Sequence, residues 1–371
     1  MHRSRAFPVH LPAMVLVTCL ALAPASAQSP AAARVPETSP SLYLAKLAAA
    51  RIPADAAGAV VLPLDGGSLA FAANGQKPMN PASTMKLVTT YSALHLLGPA
   101  FTFHTDVLAE GPLAGDVLRG TLYVRGGGDP HLVIENLWQL ATRIRGFGIR
   151  EIRGDLVLDK SLFDPLPHDP AQFDGEEGRA YNVGPDALLV NFKSIALTFV
   201  PDTAARVARV MVVPEVAGMK YPRMVPAVDG GCGDWRGRLK ADYADPMNIR
   251  IGGAYPLACG ERAIYLGALE HTGYFAAVFR ALWERQGGAW VGKVREGAVP
   301  PTARLVATQE SAPLALLIRD INKYSNNVMT QQLFLTMGAA GGQPGNPARG
   351  ADAVRGLLAA RGIEARSLVL E

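Results

Sequence analysis

Two short stretches of this chain carry side chains that could do chemistry on each other. The first is Ser83-Thr84-Met85-Lys86, inside "NPASTMKLVTTYSALHLLG" (80–98). The second, 242 residues further on, is Ser325-Asn326-Asn327 in "NKYSNNVMTQQLF". A serine hydroxyl is a weak nucleophile and needs a base within hydrogen-bond reach. A lysine three residues later lies on the same helical face. It can be that base only when neutral; its ordinary pKa is about 10.4, and each unit of depression corresponds to about 1.4 kcal/mol. Burial and the positive end of a helix both disfavour the ammonium. A cation in a first helical turn, badly placed for helix stability, is therefore well placed to become a base. The backbone N–H of Ser83, near the helix start, can face a developing oxyanion.

Each stretch also has a plainer explanation. A Ser-x-x-Lys can arise by chance, and a lysine there can run along the helix to water. Serine and asparagine are favoured at helix caps in any protein. Context favours chemistry: this is the single Ser-x-x-Lys in the 371 residues, and it stands where a hairpin pattern meets an apolar helix. Ser-x-Asn would supply a second hydroxyl to relay a proton, and an amide to hold a substrate carbonyl or the lysine.

The elements that must position these residues are legible in outline. "SLYLAKLAAARIP" reads as an amphipathic helix, and "AGAVVLPLDGGSLAFAANGQKPMNP" as a hairpin with Gly-Gly and Asn-Gly turns. In the Ser83 helix, Leu87, Tyr91, Leu94 and Leu97 keep a helical spacing up to Gly98. From about 100 to 265 the texture is β-rich, with "GTLYVRGGGDPHL", "GDLVLDKSLFD", "LLVNFKSIALTFVPD" and "ARVARVMVVPE". One helix interrupts it, "HLVIENLWQLATRIRG", with Val133, Leu137, Leu140 and Ile144 on one face. Helical texture resumes at "TGYFAAVFRALWERQG" and continues through the Ser325 region to "ADAVRGLLAARG", with "GGQPGNPARG" as a loop. The expected organisation is one α/β domain split by a long β-rich insertion.

Bulk properties narrow the function classes. A 371-residue chain exceeds one ordinary core. Its 49% apolar and 18% charged content suits a packed globular protein. A formal charge of +4 suits an anionic partner such as cell-wall polymer or peripheral contact with a lipid surface, and equally a solvated surface with no partner. No basic run with interleaved aromatics suggests nucleic acid. "MHRSR", then "LPAMVLVTCLALAP", then Ala25-Ser26-Ala27 reads as a cleaved secretory signal over residues 1–27. Cleavage removes Cys19 and leaves Cys232 and Cys259, which in an exported chain most simply form one disulfide. Neither has a second ligand at zinc-like spacing, and His95, His104, His131, His168 and His271 form no metal pattern. "RGGGDP" (125–130) lacks the lysine and hydroxyl of a phosphate loop and reads as a turn. Asp129 and Asp155 read as turn and strand-edge residues, with a surface of the insertion near substrate as the less favoured reading. No cofactor is expected.

Taken together, "PASTMKLVTT", "LYVRGGGDPHL", "GDLVLDKSLFD", "YNVGPDALLVNF" and "NKYSNNVMTQQLF" resemble the D-alanyl-D-alanine carboxypeptidase/endopeptidase family, the class C low-molecular-mass penicillin-binding proteins. The likeness covers most of the chain after the leader, and the 242-residue gap between the motifs fits that family's large insertion. It implies a penicillin-binding/β-lactamase-like transpeptidase domain over 28–100 and 266–371, split by a β-rich insertion over 101–265. It implies that Ser83 attacks the carbonyl of the penultimate D-alanine of a peptidoglycan stem peptide, or a D-alanyl–diaminopimelyl cross-link. Lys86 then takes the proton, Ser325 passes it to the leaving amine, and Asn327 orients Lys86 and binds the substrate amide. It implies a periplasmic enzyme acylated by β-lactams. One departure stands out: Lys-Thr-Gly, the family's third motif, occurs nowhere in the chain, which stops at Glu371 just after "SLVL", where that strand is expected to follow. The expectation is a truncated product with an incomplete catalytic sheet. Lys193-Ser194 in "NFKSIAL" is no substitute, lacking the glycine and lying in the insertion. The competing expectations are a β-lactamase, disfavoured by the insertion and by the lack of an E-x-x-L-N segment, and a non-catalytic wall-binding homologue.

Overall fold

A computed structural model describes residues 40–364 and 368–370. The leader expected over 1–27, with Cys19, and the terminal Glu371 lie outside the described residues. The chain divides into two compact units at Met79/Asn80. In the first, helix α1 (Pro40–Ala49) is followed by strands β1 (Ala59–Val61) and β2 (Phe71–Ala73), which pair antiparallel with Val60 opposite Ala72. Tyr43 of α1 packs edge-on to Phe71 of β2, and Lys77 pairs with Asp55.

The second unit opens with a single 3-10 turn, Ala82–Thr84, running straight into α2 (Met85–Leu96). Then come β3 (His104–Glu110), β4 (Leu113–Ala114), β5 (Val117–Leu118), β6 (Thr121–Arg125), α3 (Ile134–Gly146), β7 (Glu151–Arg153) and β8 (Leu156–Asp159). After a long irregular stretch follow β9 (Ile195–Asp202), β10 (Val207–Val213), β11 (Met224–Val228), α4 (Trp235–Leu239), β12 (Ala241–Asp242), β13 (Arg250–Ile251), β14 (Tyr255–Pro256) and β15 (Arg262–Leu266). The chain ends with α5 (His271–Arg285), β16 (Ala289–Val291), β17 (Val294–Glu296), β18 (Arg304–Glu310), α6 (Leu314–Tyr324), α7 (Asn327–Ala339) and α8 (Pro347–Ala360).

Three sheets of four or five strands carry the β-rich part. One has the order β17-β8-β6-β3-β18, the second β16-β7-β5-β4, the third β14-β11-β10-β9-β15. In the first, β8 runs parallel to both β6 and β17, and all four of its residues are buried. A strand covered on both faces reads as a continuous apolar run, as "LVL" does here. β18 pairs antiparallel with β3, Leu305 opposite Leu108. Strands from before and after residue 265, the boundary expected for the insertion, are thus hydrogen-bonded neighbours in one sheet. The core between the sheets holds Leu137, Leu140 and Ile144 of α3, fully buried, and the Phe275, Phe279 and Trp283 rings of α5, stacked in succession. Cys232 and Cys259 are disulfide-bonded.

The helices α2, α6, α7 and α8 share a separate core: Ala93, Leu317, Ile321, Leu333, Phe334, Val354 and Leu358. Helix α7 is buried on nearly every side, which its all-round apolar sequence "VMTQQLFLTMG" requires. Two expectations change here. Of the apolar stripe, Leu94 and Leu97 pack against this core while Leu87 and Tyr91 are exposed, and α2 also buries Thr89, Thr90, Ser92 and Ala93. Small side chains let the neighbouring helices approach, and Thr90 Oγ satisfies itself on the Lys86 carbonyl at 2.8 Å and meets Asn322 of α6. The expected loop 341–350 ends early, because the Asn346 side chain accepts from Arg349 N (2.9 Å) and Pro347 starts α8.

Candidate active site

Ser83 is the middle residue of the 3-10 turn that leads into α2. The residue before it, Ala82, is left-handed (φ 45°), held by its N–H on the Asn80 side chain at 2.9 Å. A left-handed alanine costs roughly 1–2 kcal/mol, and such strain collects where function demands it. The bend presents Ser83 at the surface. Among the described residues no backbone carbonyl accepts its N–H, as expected for the first turn of a helix.

Lys86 is buried, at 8% exposure. Its Nζ lies 3.1 Å from Ser83 Oγ and 2.7 Å from Asn327 Oδ1. Burial holds its pKa below the ordinary lysine value, and no carboxylate pairs with it to oppose that. The long cation therefore does not run out to water. It lies between a hydroxyl and an amide oxygen, both neutral, where burial makes the ammonium less favourable than on an exposed lysine.

Asn327 comes from the turn between α6 and α7. That turn is made by Ser325, left-handed at φ 54°, which ends α6. Of the two adjacent asparagines, Asn326 does the capping, its side chain accepting from Met329 N at 3.1 Å. Asn327 is freed to reach Lys86, and its Nδ2 donates to the Tyr181 carbonyl at 3.5 Å. Ser325 is exposed and hydrogen-bonds to neither Ser83 nor Lys86. Of the four residues expected in the site, the structure brings three into hydrogen-bond contact and leaves Ser325 beside them in sequence.

A cavity of about 480 Å³ opens beside Lys86 and Asn327, lined next to Ser83 by Ala82 and Met85 but not by Ser83 itself. Lys86, Asn327 and Gln331 line one side; His168, Phe173 and Tyr181 line the other. The second wall is stapled together: His168 Nε2 bonds the Asn182 carbonyl (2.7 Å), and Tyr181 Oη and Asn182 Nδ2 both donate to Asp174. Gln332 of α7 holds the wall from behind, its amide donating to the Asp186 carbonyl (2.9 Å) and accepting from Asp186 N (3.0 Å). Sequence reasoning did not single out these wall residues. The only signal was "YNVGPDALLVNF" as a stretch, since an irregular segment has no period to read. Lys193 lies apart from Ser83, in another cavity. No group of three or more His, Cys, Asp or Glu able to hold a metal occurs among the described residues.

Fold and site together define a serine–lysine protein of the penicillin-binding transpeptidase fold. Penicillin binding protein 4 (dacB) from Haemophilus influenzae superposes with a TM-score of 0.67 at 24% identity, covering 83% of this chain and 68% of that one. A second structure of it, complexed with a β-lactam, gives 0.61 at 23% identity, covering 83% and 66%. Residues 43–371 match the D-Ala-D-Ala carboxypeptidase 3 (S13) family, and the chain belongs to that family. It is 28% identical over 320 residues to a D-alanyl-D-alanine carboxypeptidase of Actinomadura sp., and 25% identical over 265 residues to D-alanyl-D-alanine carboxypeptidase DacB of H. influenzae. These matches cover 84% and 70% of this chain but only 60% and 54% of the two relatives.

Proposed function

We propose that this protein is a serine-type D-Ala-D-Ala carboxypeptidase and DD-endopeptidase acting on peptidoglycan peptides outside the cytoplasm, in the periplasm. The observation that carries the reading is the placement of one buried amine within hydrogen-bond distance of both Ser83 Oγ and Asn327 Oδ1, from segments 241 residues apart. Family membership and the names of the two relatives support the reaction class. Export is supported by the leader pattern and by the disulfide.

In this reading neutral Lys86 takes the proton as Ser83 Oγ attacks the carbonyl of the penultimate D-alanine. The tetrahedral oxyanion faces the unpaired Ser83 N–H. Its collapse breaks the C–N bond, and the leaving amine receives the proton that Lys86 took; Ser325, which touches neither Ser83 nor Lys86 in the structure, would relay it only once its hydroxyl has turned toward Lys86. Water then cleaves the Ser83 ester. Asn327 holds Lys86 and, through Nδ2, the substrate amide. A β-lactam, as bound by the H. influenzae relative, would acylate Ser83 and leave slowly.

Fluorescent penicillin labelling of the full chain tests this. One equivalent of slow, stable label, lost in Ser83→Ala, together with D-alanine release from a D-Ala-D-Ala-terminated peptide, is the expected result. No labelling would turn the protein into a non-catalytic wall binder. Rapid nitrocefin turnover would make it a β-lactamase.

A further inference from the structure

A second cavity, of about 760 Å³, shares His168 and Pro170 as lining with the cavity beside Lys86. Its charged lining is mixed: Lys160, Lys193, Asp186, Glu270, Glu296 and the inert Asp159 and Asp164. Most of these groups satisfy one another. Lys160 Nζ bonds Asp186 Oδ2, Glu296 Oε1 and Thr272 Oγ, each at 2.8 Å. Glu270 caps α5, accepting from Thr272 N and Gly273 N. Asp159 takes two backbone N–H groups, and Asp164 pairs with Arg349.

Lys193 is the exception. It is partly buried, and burial lowers its pKa, yet among the described residues its side-chain amine makes no hydrogen bond and no ion pair. It feels Glu270 and Asp186 only at longer range. Three consecutive left-handed residues, Asn191, Phe192 and Lys193, set it there. The turn is locked by Lys193 N on the Val190 carbonyl (2.7 Å), Ser194 N on the Asn191 carbonyl (2.9 Å) and Asn191 Nδ2 on the Ser194 carbonyl (3.1 Å). Non-glycine residues adopt this conformation at a cost of order 1–3 kcal/mol each, and persist in it where the surroundings impose it. An unpaired charge half out of water is a second, smaller cost. Both are accounted for if an anionic group completes the site.

A simple anion does not fit, because carboxylates outnumber lysines in the lining. A simple cation leaves Lys193 unexplained. A ligand with both charges answers both: its carboxylate on Lys193, its ammonium toward Glu270 and Glu296. We propose that this cavity binds a free α-amino-acid zwitterion or short zwitterionic peptide, with Lys193 as the carboxylate anchor. The inference rests on the hydrolytic reading only for the ligand's origin, since peptide-bond cleavage next door generates such molecules.

The test is ligand-observed NMR titration of the full chain carrying Ser83→Ala, with D-alanine and D-Ala-D-Ala as probes. Saturable binding of one or both, weakened at least tenfold by Lys193→Met and restored by Lys193→Arg, is expected; which probe binds identifies amino acid or dipeptide. N-acetyl-D-alanine and D-alaninamide, each lacking one charge, should bind at least tenfold more weakly. Absence of saturable binding, binding indifferent to Lys193→Met in a variant of unchanged circular dichroism, or equal binding of N-acetyl-D-alanine would overturn the proposal. Penicillin labelling of the Ser83 protein is scored separately, so loss of the hydrolase reading and loss of this site are told apart.

Discussion

Lys86 Nζ and Asn327 Oδ1 are 2.7 Å apart, joining the first turn of α2 to the first residue of α7. The amide oxygen accepts a hydrogen bond from the amine in either protonation state and adds no charge, so it fixes Lys86 with far less pull toward the ammonium than a carboxylate would exert. Burial lowers the Lys86 pKa, and the base is the deprotonated form. Acylation should therefore rise with pH through the Lys86 pKa. Asn327→Asp keeps the contact but sets a carboxylate against the amine, which raises that pKa. Each unit costs about tenfold in neutral amine at a pH below it. The variant should acylate with penicillin at least tenfold more slowly at neutral pH and recover as pH rises. A stopped-flow pH profile checks this, and an unmoved limb would remove Lys86 as the base.

Gln332 is fully buried and spends both ends of its amide on the backbone of Asp186. Asp186 closes the segment from Tyr181 that walls the cavity. Gln332→Leu leaves the Asp186 N–H unsatisfied, at about 1–3 kcal/mol, while the Asp186 carbonyl keeps its bond from Leu189 N (3.0 Å). The melting temperature should fall. If the clamp positions the wall, KM for a stem-peptide mimic should also rise severalfold per active site, counted by penicillin titration, with kcat little changed. A purely structural Gln332 would lower the active fraction and leave KM alone.

How much of this could be read in advance depended on range along the chain. Ser83 and Lys86 sit one turn apart, so residue type and spacing were enough to pair them. Asn326 and Asn327 look alike in sequence, and only the turn at Ser325 decides that one caps and the other reaches Lys86. The α2 face was legible only in part: Leu94 and Leu97 of the apolar stripe pack against the core, while Leu87 and Tyr91 face out and threonine, serine and alanine fill the rest of the buried face. The cavity wall has no period at all. The pairing of β18 with β3 joins residues about 200 apart, which composition cannot reveal, so the edge of the β-rich part at 265 had no local marker.

The disulfide closes a 27-residue separation between the segment before α4 and the one before β15. The chain-entropy model assigns a loop of that length about 3–4 kcal/mol. Cys232→Ala with Cys259→Ala should lower unfolding stability by roughly that amount. Neither cysteine lines the cavity beside Lys86, so penicillin acylation per folded molecule should be unchanged. Chemical denaturation and labelling stoichiometry, measured on the same samples, check both halves.

Asp129 and His271 pull stability in opposite directions with pH. Asp129 is 3% exposed, and burial pushes its carboxyl up to about 6. A folded pKa above the unfolded one gives stability that is present below the unfolded value, near 4, and lost as pH rises through about 6. A shift of about two units corresponds to about 3 kcal/mol. His271 is the reverse: burial, chiefly, holds it down to about 3, so its stability is present above 6.5 and lost as pH falls toward 3. Between pH 6.5 and 4 the two partly cancel. Asp129→Asn removes one side of the balance. Relative to wild type it should gain about 3 kcal/mol more at pH 8 than at pH 4, and its stability should fall more steeply on acidification. Urea denaturation of both proteins at pH 4, 6 and 8 measures that double difference. A constant difference across the three pH values would mean that Asp129 titrates alike in the folded and unfolded chains.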